Sequence, residues 1–378
     1  MKPDVVDVVV VGGGIAGVSV AASLAESLAV VVLERESHPG LHSTGRSAAL
    51  FSEIYGGEAV RALSRGSREF FYSPPEGFAS GPIVRQRSTL HIATAEQREQ
   101  LDAFANLPDV APAVRRLDGA EARTLCPILR DGYIVSAALE TASADLDVNG
   151  LHQGWLRKLR AHGGRLLVNA EVNTLEHTGS AWKVVTPERT FQADVVINAA
   201  GAWADILAQR AGVRKIGLQP RRRTALIVDV PSSLNIDLWP MVIDTDEQFY
   251  FKPDAGTLLL SPADETPSEP CDAWPDDWDV AVAVDRVQTA TTLEVERVRR
   301  SWAGLRSFVS DREPVVGFAP DARGFFWLAG QGGYGIQTAP AMASLAAALV
   351  RRMAIPADLV RFGLDANTVR PGRLTRAS

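Results

Sequence analysis

Two sets of residues in this 378-residue chain have types and spacing that carry chemistry. The first is Gly12, Gly14 and Gly17, a Gly-x-Gly-x-x-Gly pattern that follows the apolar run 8–11. Gly12 makes the tight turn and Gly14 lets backbone amides approach a pyrophosphate. Gly17 lets helix and strand pack closely, and the helix N-terminus attracts the anion. Glu34 lies twenty residues after Gly14, at the end of a second apolar run, 29–33. A carboxylate there can accept a ribose hydroxyl hydrogen. The second set is Arg221, Arg222, Arg223 and Arg306. A guanidinium holds a carboxylate through paired, charge-assisted hydrogen bonds. Period-two alternation puts Arg221 and Arg223 on one strand face with Ala225 and Ile227, and Arg222 on the other. Arg306 lies between Leu305 and Phe308 in an apolar stretch, and a buried arginine needs an anionic partner. Taken alone, the triple arginine is a solvated strand end.

These residues need elements to hold them. Residues 1–35 are expected to form strand, helix and strand, and residues 40–50 a polar loop. Helical periodicity occurs at 57–71 and 94–105, and 88–93 has strand character. Asp147 is placed as the N-cap of a helix opened by Ala144, Asp145 and Leu146, with Leu151, Trp155 and Leu159 on its apolar face. Gly163 and Gly164 end that helix, and 165–169 is the next strand. Residues 171–176, 181–186 and 190–192 are expected to form a small antiparallel sheet, and 194–203 a separate buried strand. From 218 to 310 strands dominate, at 223–228, 248–252 and 257–261, the last two joined by a hairpin turn. After Pro314 a buried strand, 325–329, enters a loop containing Gly330, Gly332, Gly333 and Gly335, then an alanine-rich helix over 338–353. The tail after Arg370 is expected to fray.

The fold class that follows is α/β. A Rossmann-type nucleotide-binding domain is assembled from residues 1–80, 146–216 and 308–370. An antiparallel-sheet substrate domain is inserted twice, as 81–145 and 217–307.

A formal net charge of −6 argues against nucleic acid or an anionic membrane as a general partner. No apolar run approaches the ~18 residues that cross a bilayer. The start, Met1-Lys2-Pro3-Asp4, lacks the hydrophobic stretch of a signal peptide. Cys126 and Cys271 form no C-x-x-C pair, so neither a zinc site nor a redox dithiol is signalled, and no metal is expected. Two free thiols point to a reducing compartment, the cytoplasm.

The glycine fingerprint alone does not separate NAD from FAD. Its place at the N-terminus, the second dinucleotide-type strand ending in Asn198-Ala199-Ala200-Gly201 and the C-terminal glycine loop favour FAD. That loop runs into a helix with Pro340 near its start, where proline is tolerated. Such a helix N-terminus can face the flavin pyrimidine and stabilise negative charge there.

Further segments carry a resemblance over nearly the whole chain. They are Ser43-Thr44-Gly45-Arg46-Ser47-Ala48-Ala49, Leu151-His152-Gln153-Gly154, Asn198-Ala199-Ala200-Gly201-Ala202-Trp203 and Gly217-Leu218-Gln219-Pro220. To these are added Phe249-Tyr250 with Lys252-Pro253-Asp254-Ala255-Gly256, the run 302–308 and the run 331–338. Together they resemble the D-amino-acid oxidase superfamily of FAD enzymes, and within it the bacterial D-arginine dehydrogenases. The resemblance implies noncovalent FAD, because no cysteine matches the covalent flavin anchor of the sarcosine oxidases. It implies FAD contacts from Gly12, Gly14, Ile15, Ala16, Gly17, Glu34, Arg35, Ser43, Thr44, Arg46, Ser47, Ala48 and Ala49. Val172, Ala200, Gly201, Trp203, Gly332, Gly335, Ile336, Gln337 and Thr338 complete that set.

At the substrate end the resemblance makes Arg223 and Arg306 the carboxylate-binding arginines and Tyr55 and Tyr250 the tyrosines lining the same site. Leu50, Ser52, Thr89, Met241, Ile243 and Gly333 would form the rest of the pocket. The implied reaction is oxidation of the Cα–N bond of an amino acid by hydride transfer to flavin N5, giving an imino acid that water hydrolyses to a keto acid and ammonia. No acid–base side chain is required, and His42 is read as a loop hydrogen-bonder. An electron acceptor (oxygen, a quinone or an artificial acceptor) would close the cycle.

The chain departs from the D-arginine dehydrogenases at three positions. Thr89 stands where a glutamate faces the substrate guanidinium, Leu50 replaces a histidine and Ser52 a threonine. Loss of a carboxylate that pairs a buried cation implies a shift toward neutral or hydrophobic D-amino acids. Glu53 and Asp244 are acids from which a basic preference, for D-arginine or D-lysine, could return. Oxidation of an N-methyl or cyclic secondary amino acid, a non-enzymatic FAD-binding module and an NAD-dependent dehydrogenase stay open as alternatives. A disulfide reductase lacks its cysteine pair.

Overall fold

The computed structural model describes residues 2–376. Its nucleotide-side sheet is built from strands whose β-branched content reflects burial on both faces. Asp4–Val11 is central, flanked in parallel by Val30–Leu33 on one side and Thr190–Asn198 on the other. Arg165–Leu167 extends the sheet beyond Val30–Leu33, and Phe325–Ala329 pairs in parallel with the far end of Thr190–Asn198. Helices Ile15–Leu24, Glu58–Tyr72, Val148–Ala161 and Ala339–Val350 share one continuous core with this sheet.

Thr190–Asn198 is one nine-residue strand where two had been expected. One edge pairs in parallel with Asp4–Val11 from Phe191 to Asn198, while the other pairs antiparallel with Trp182–Val185 at its start and in parallel with Phe325–Ala329 at its end. Nothing in 193–194 breaks the pleat, so the small antiparallel ladder is an extension of the main sheet. Three other expectations are also corrected. Ala144–Leu146 is a strand rather than the first turn of a helix; Asp147 does cap Val148–Ala161, its carboxylate accepting from the Gly150 N–H. Residues 218–310 contain a helix, Asp277–Ala290, capped by Asp276. Residues Pro371–Arg376 form a 3-10 helix held by the Arg373–Asp311 ion pair instead of fraying, and Ala377 and Ser378 lie outside the described residues.

The second sheet has the order Thr266–Pro267, Gln219–Val228, Thr257–Ser261, Tyr250–Asp254, Met241–Asp244, Thr89–Ala93, Ser136–Glu140, Val114–Asp118, with the long strand Val298–Phe308 on the other side of Gln219–Val228. Tyr250–Asp254 and Thr257–Ser261 are joined by Ala255 and Gly256, both left-handed (φ 47° and 78°). Two such residues match the strand twist at a two-residue hairpin. One face of this sheet packs Leu90, Leu139, Leu226, Val242, Phe251 and Leu260 against Ala283 and Val287 of helix Asp277–Ala290. The other face carries Arg221, Arg223 and Arg306 and turns toward the nucleotide-side sheet. Among the described residues no helix is long and apolar enough to cross a membrane.

Candidate active site

The glycine loop is shaped by close backbone approaches. Gly12 is left-handed (φ 113°), and a Cβ on it would stand 2.3 Å from the Ala199 carbonyl oxygen. A Cβ on Gly17 would stand 1.9 Å from the Gly12 carbonyl oxygen. Only glycine permits these crossings of helix, turn and strand. Glu34 is nearly buried, and its two oxygens accept from the N–H groups of Gly13 (2.8 Å) and Glu36 (2.9 Å). The Thr44 hydroxyl accepts from the Ile15 N–H, and His152 donates from Nε2 to the Gly13 carbonyl. Burial lowers the His152 pKa, which favours the neutral ring. The Arg35 guanidinium lies 4.0 Å from the Trp203 ring centre. His42 bonds Glu36 through Nε2, as a loop hydrogen-bonder should.

A cavity of about 480 Å³ runs between the two sheets. Glu34, Arg35, Val172 and Trp203 line one end. Gly12, Gly14, Ile15, Ala16, Ser43, Thr44, Arg46, Ser47, Ala48, Ala200 and Gly201 line its length. Arg223, Tyr250, Arg306, Gly332, Gly333, Gly335 and Ile336 line the other end.

Strand register brings the arginines together. Arg223 lies opposite Gly304, and Arg306 opposite Arg221, in the antiparallel pair of Gln219–Val228 and Val298–Phe308. Alternation then puts Arg221, Arg223, Gly304 and Arg306 on one face, within reach of one another. Arg222 points the opposite way and donates to Asp279 at 2.7 Å. Arg223 is 7% exposed; its Nε donates to the Asp264 carbonyl (2.8 Å) and one terminal nitrogen to Glu265 (3.3 Å). Arg306 faces the hydroxyls of Tyr55, Tyr250 and Tyr334. Burial opposes its charge, but these partners outweigh burial and hold its pKa above the ordinary value. Among the described residues no carboxylate lies within ion-pair distance of Arg306. Tyr55 and Tyr334 meet edge to face, ring centres 5.1 Å apart, and burial pushes both phenols up.

Other residues named from the sequence lie off the cavity lining. Met241 and Ile243 pack with Tyr250 and Ala225, and Leu50 leans on the same cluster, so they form an apolar backing to the arginine end. Thr89 is buried with its hydroxyl 2.8 Å from Ser143 Oγ. Ser52 donates to Glu140, and its N–H is held by the Gln337 amide oxygen. Gln337 also donates to Ser64, and Thr338 donates to the Tyr334 carbonyl, so neither side chain reaches the cavity. Gly17 acts through packing, and Ala49 accepts from Lys252 through its carbonyl. Arg46 borders the cavity, while its guanidinium is spent on Asp272 and the Ala273 and Ala303 carbonyls. Of the acids considered, Glu53 pairs with Arg68, and Asp244 is buried, holding the N–H groups of Asp246 and Gln248.

The sequence reading missed Tyr334, Glu265, Arg312 and His152 as parts of the site. The first three sit in loops and turns without periodic signal. His152 could have been found from its helical face, which it shares with Trp155 and Leu159.

The lining fits an extended dinucleotide bearing a flavin: glycine approaches at the middle, an acid at one end and a glycine loop entering helix Ala339–Val350 at the other. The comparisons agree. The family described as DAO, FAD dependent oxidoreductase, matches residues 7–349. Glycine oxidase of Geobacillus kaustophilus is 24% identical over 378 residues, covering 95% of this chain and 96% of that one. Human mitochondrial sarcosine dehydrogenase is 26% identical over 356 residues, covering 86% of this chain and 37% of that one. Among solved structures, L-proline dehydrogenase from P. horikoshii superposes with a TM-score of 0.85 at 21% identity, covering 100% of this chain and 99% of that one. This chain, with FAD as its cofactor, belongs to the DAO family of FAD-dependent oxidoreductases.

Proposed function

We propose that this enzyme oxidises the Cα–N bond of neutral or hydrophobic D-amino acids to imino acids, which water converts to keto acids and ammonia. One observation carries the reading. Arg306 holds a positive charge with no carboxylate partner among the described residues, on the same sheet face as Arg223 and beside Tyr250, at the cavity end away from Glu34. A partly buried guanidinium in that setting is completed by an anion on the ligand. The α-carboxylate of an amino acid meets this need, and Tyr55 and Tyr250 border it. Noncovalently bound FAD supplies the hydride acceptor. Leu50, Met241 and Ile243 back Tyr250 with apolar surface, which supports an uncharged substrate side chain. Glu53 and Asp244 are already engaged by protein groups, so neither favours a return to D-arginine or D-lysine.

A second reading is favoured by the same packing. Leu50, Met241 and Ile243 pack together instead of lining the cavity, which leaves little room beyond Tyr250. Glycine or a small N-alkyl or cyclic amino acid fits that space, in keeping with the names of the similar proteins. Anaerobic bleaching of the flavin by D- and L-amino acids, glycine, sarcosine and proline tests both. Fastest reduction by D-Leu, D-Met or D-Phe supports the first. Fastest reduction by glycine or sarcosine supports the second, and a dominant D-Arg or any L-enantiomer overturns the first. Oxygen, a quinone and an artificial dye should be compared as acceptors in the same screen. The two unpaired cysteines, Cys126 and Cys271, fit a reducing compartment such as the cytoplasm.

A further inference from the structure

An acid stands behind the arginine end of the cavity. Glu265 Oε1 accepts from Arg223 Nη2 at 3.3 Å and from Arg312 Nη2 at 2.7 Å, and Oε2 accepts from Arg312 Nη1 at 3.0 Å. Arg312 therefore grips Glu265 with a two-point fork, and Glu265 holds Arg223 through Oε1, the oxygen that also accepts from Arg312 Nη2. The adjoining backbone completes the brace. The Asp264 carbonyl takes Arg223 Nε, and the Glu265 carbonyl takes Arg221 Nη1 at 3.0 Å. Asp264 is itself fixed, its carboxylate accepting from the Thr224 N–H and hydroxyl. Among the described residues, Arg223 Nη1 has no protein partner.

Arg312 is also placed at some cost. Its backbone is left-handed (φ 63°), a conformation arginine rarely adopts, and its guanidinium lies 3.9 Å from the Phe308 ring centre. Phe308 in turn packs against Gly332, where a Cβ would stand 2.2 Å from the ring. The brace thus joins the turn after Val298–Phe308 to the segment that backs Arg223.

We infer that Glu265 is a positioning residue for the carboxylate site: Arg312 locks it, and it fixes the edge of Arg223 so that Nη1 is left to take the substrate carboxylate. This rests on the proposed role of Arg223. The alternative role for Glu265, simple neutralisation of Arg223, makes the opposite prediction. By Coulomb's law alone, removing an anion beside the receptor should tighten binding of another anion. If Glu265 positions Arg223, its removal should loosen binding although the site becomes more positive.

The test is a titration of the FAD-loaded enzyme with benzoate as a probe carboxylate, followed through the flavin's visible absorption. Glu265→Ala should weaken benzoate binding about tenfold, and Arg312→Met at least as much, with flavin content unchanged. The double variant should bind no more weakly than the weaker single variant, because both act through one brace. Glu265→Gln keeps an acceptor for Arg223 but loses the charged fork, and should fall between the parent and Glu265→Ala. It also serves as the second variant if Glu265→Ala fails to fold. Binding by Glu265→Ala or Glu265→Gln as tight as the parent's or tighter, or additive losses in the double variant, overturns the inference. A parent enzyme whose spectrum responds to neither benzoate, acetate nor glycine overturns the carboxylate-receptor reading itself, and the inference falls with it.

Discussion

Gly333 stands so close to Arg306 that a Cβ on it would lie 2.7 Å from the guanidinium carbon. Its φ lies outside the left-handed region, so contact alone demands glycine. Gly333→Ala should push the guanidinium aside without strain elsewhere. A displacement of that size costs on the order of 10²-fold in catalytic efficiency when a substrate is held for reaction. We expect kcat/KM to fall by about that factor while flavin content and Tm stay near parental values. Parental kinetics in this variant would show that Arg306 does not hold the substrate.

Among the described residues Arg306 has no anion to leave unpaired, so its replacement should damage ligand binding more than folding. Arg306→Met should lower kcat/KM by about 10²–10³-fold, as for truncation of one partner in a buried charged pair. Arg306→Lys should recover little, since an ammonium cannot reproduce the planar fork. Stopped-flow reduction of the flavin measures both, and full activity in the lysine variant would count against paired recognition.

Gly17 tests the other end. Its replacement by alanine places a carbon 1.9 Å from the Gly12 carbonyl oxygen, a backbone atom that cannot step aside. Gly17→Ala should cost about 1–3 kcal/mol or more in stability, and the isolated protein should have lost FAD. Absorbance of the purified variant and its unfolding curve read the two effects separately.

Glu140 should set part of the pH dependence of stability. Burial pushes its carboxyl up to about 7 from the ordinary 4.5, against the hydrogen bonds from the Ser52 hydroxyl and the Glu53 N–H. The folded state therefore keeps a proton that the unfolded chain has lost across this window. The stability Glu140 contributes is present below the ordinary carboxylate range and declines as pH rises toward neutrality, by about 3 kcal/mol in all. Glu140→Gln should remove this decline, so variant and parent should diverge in the variant's favour between about pH 5 and pH 8. His91, whose pKa burial lowers to about 4, titrates alike in both and cancels. A difference in unfolding free energy that does not change with pH would show that Glu140 is ionised throughout.

The sequence was most informative where one residue type has few uses. Gly12, Gly17 and Glu34 could be placed from spacing because a crossing of helix and strand admits little else. Alternation placed Arg223 and Arg222 on opposite faces, and the structure has them there. Long-range pairing was not legible. Thr190–Asn198 was split in two because one of its edges changes partner along its length, from antiparallel Trp182–Val185 to parallel Phe325–Ala329, which no local pattern reveals. Thr89 was expected from the family resemblance to border the substrate, yet its hydroxyl is satisfied by Ser143, fifty-four residues away in sequence. Glu265 and Arg312 show the same limit: two charged turn residues look solvated until the fold brings them to Arg223.

The strand order also has a consequence for how the chain is made. Asp4–Val11 emerges from the ribosome long before its partner Thr190–Asn198, and Phe325–Ala329 with its glycine loop comes later still. Until then a valine-rich strand has an unpaired edge and the cofactor cradle lacks its closing wall. Such late, non-local pairing is slow and prone to aggregation. FAD loading should accordingly be a post-translational event, and heterologous yield should respond to chaperone supply and lower growth temperature more than to riboflavin feeding.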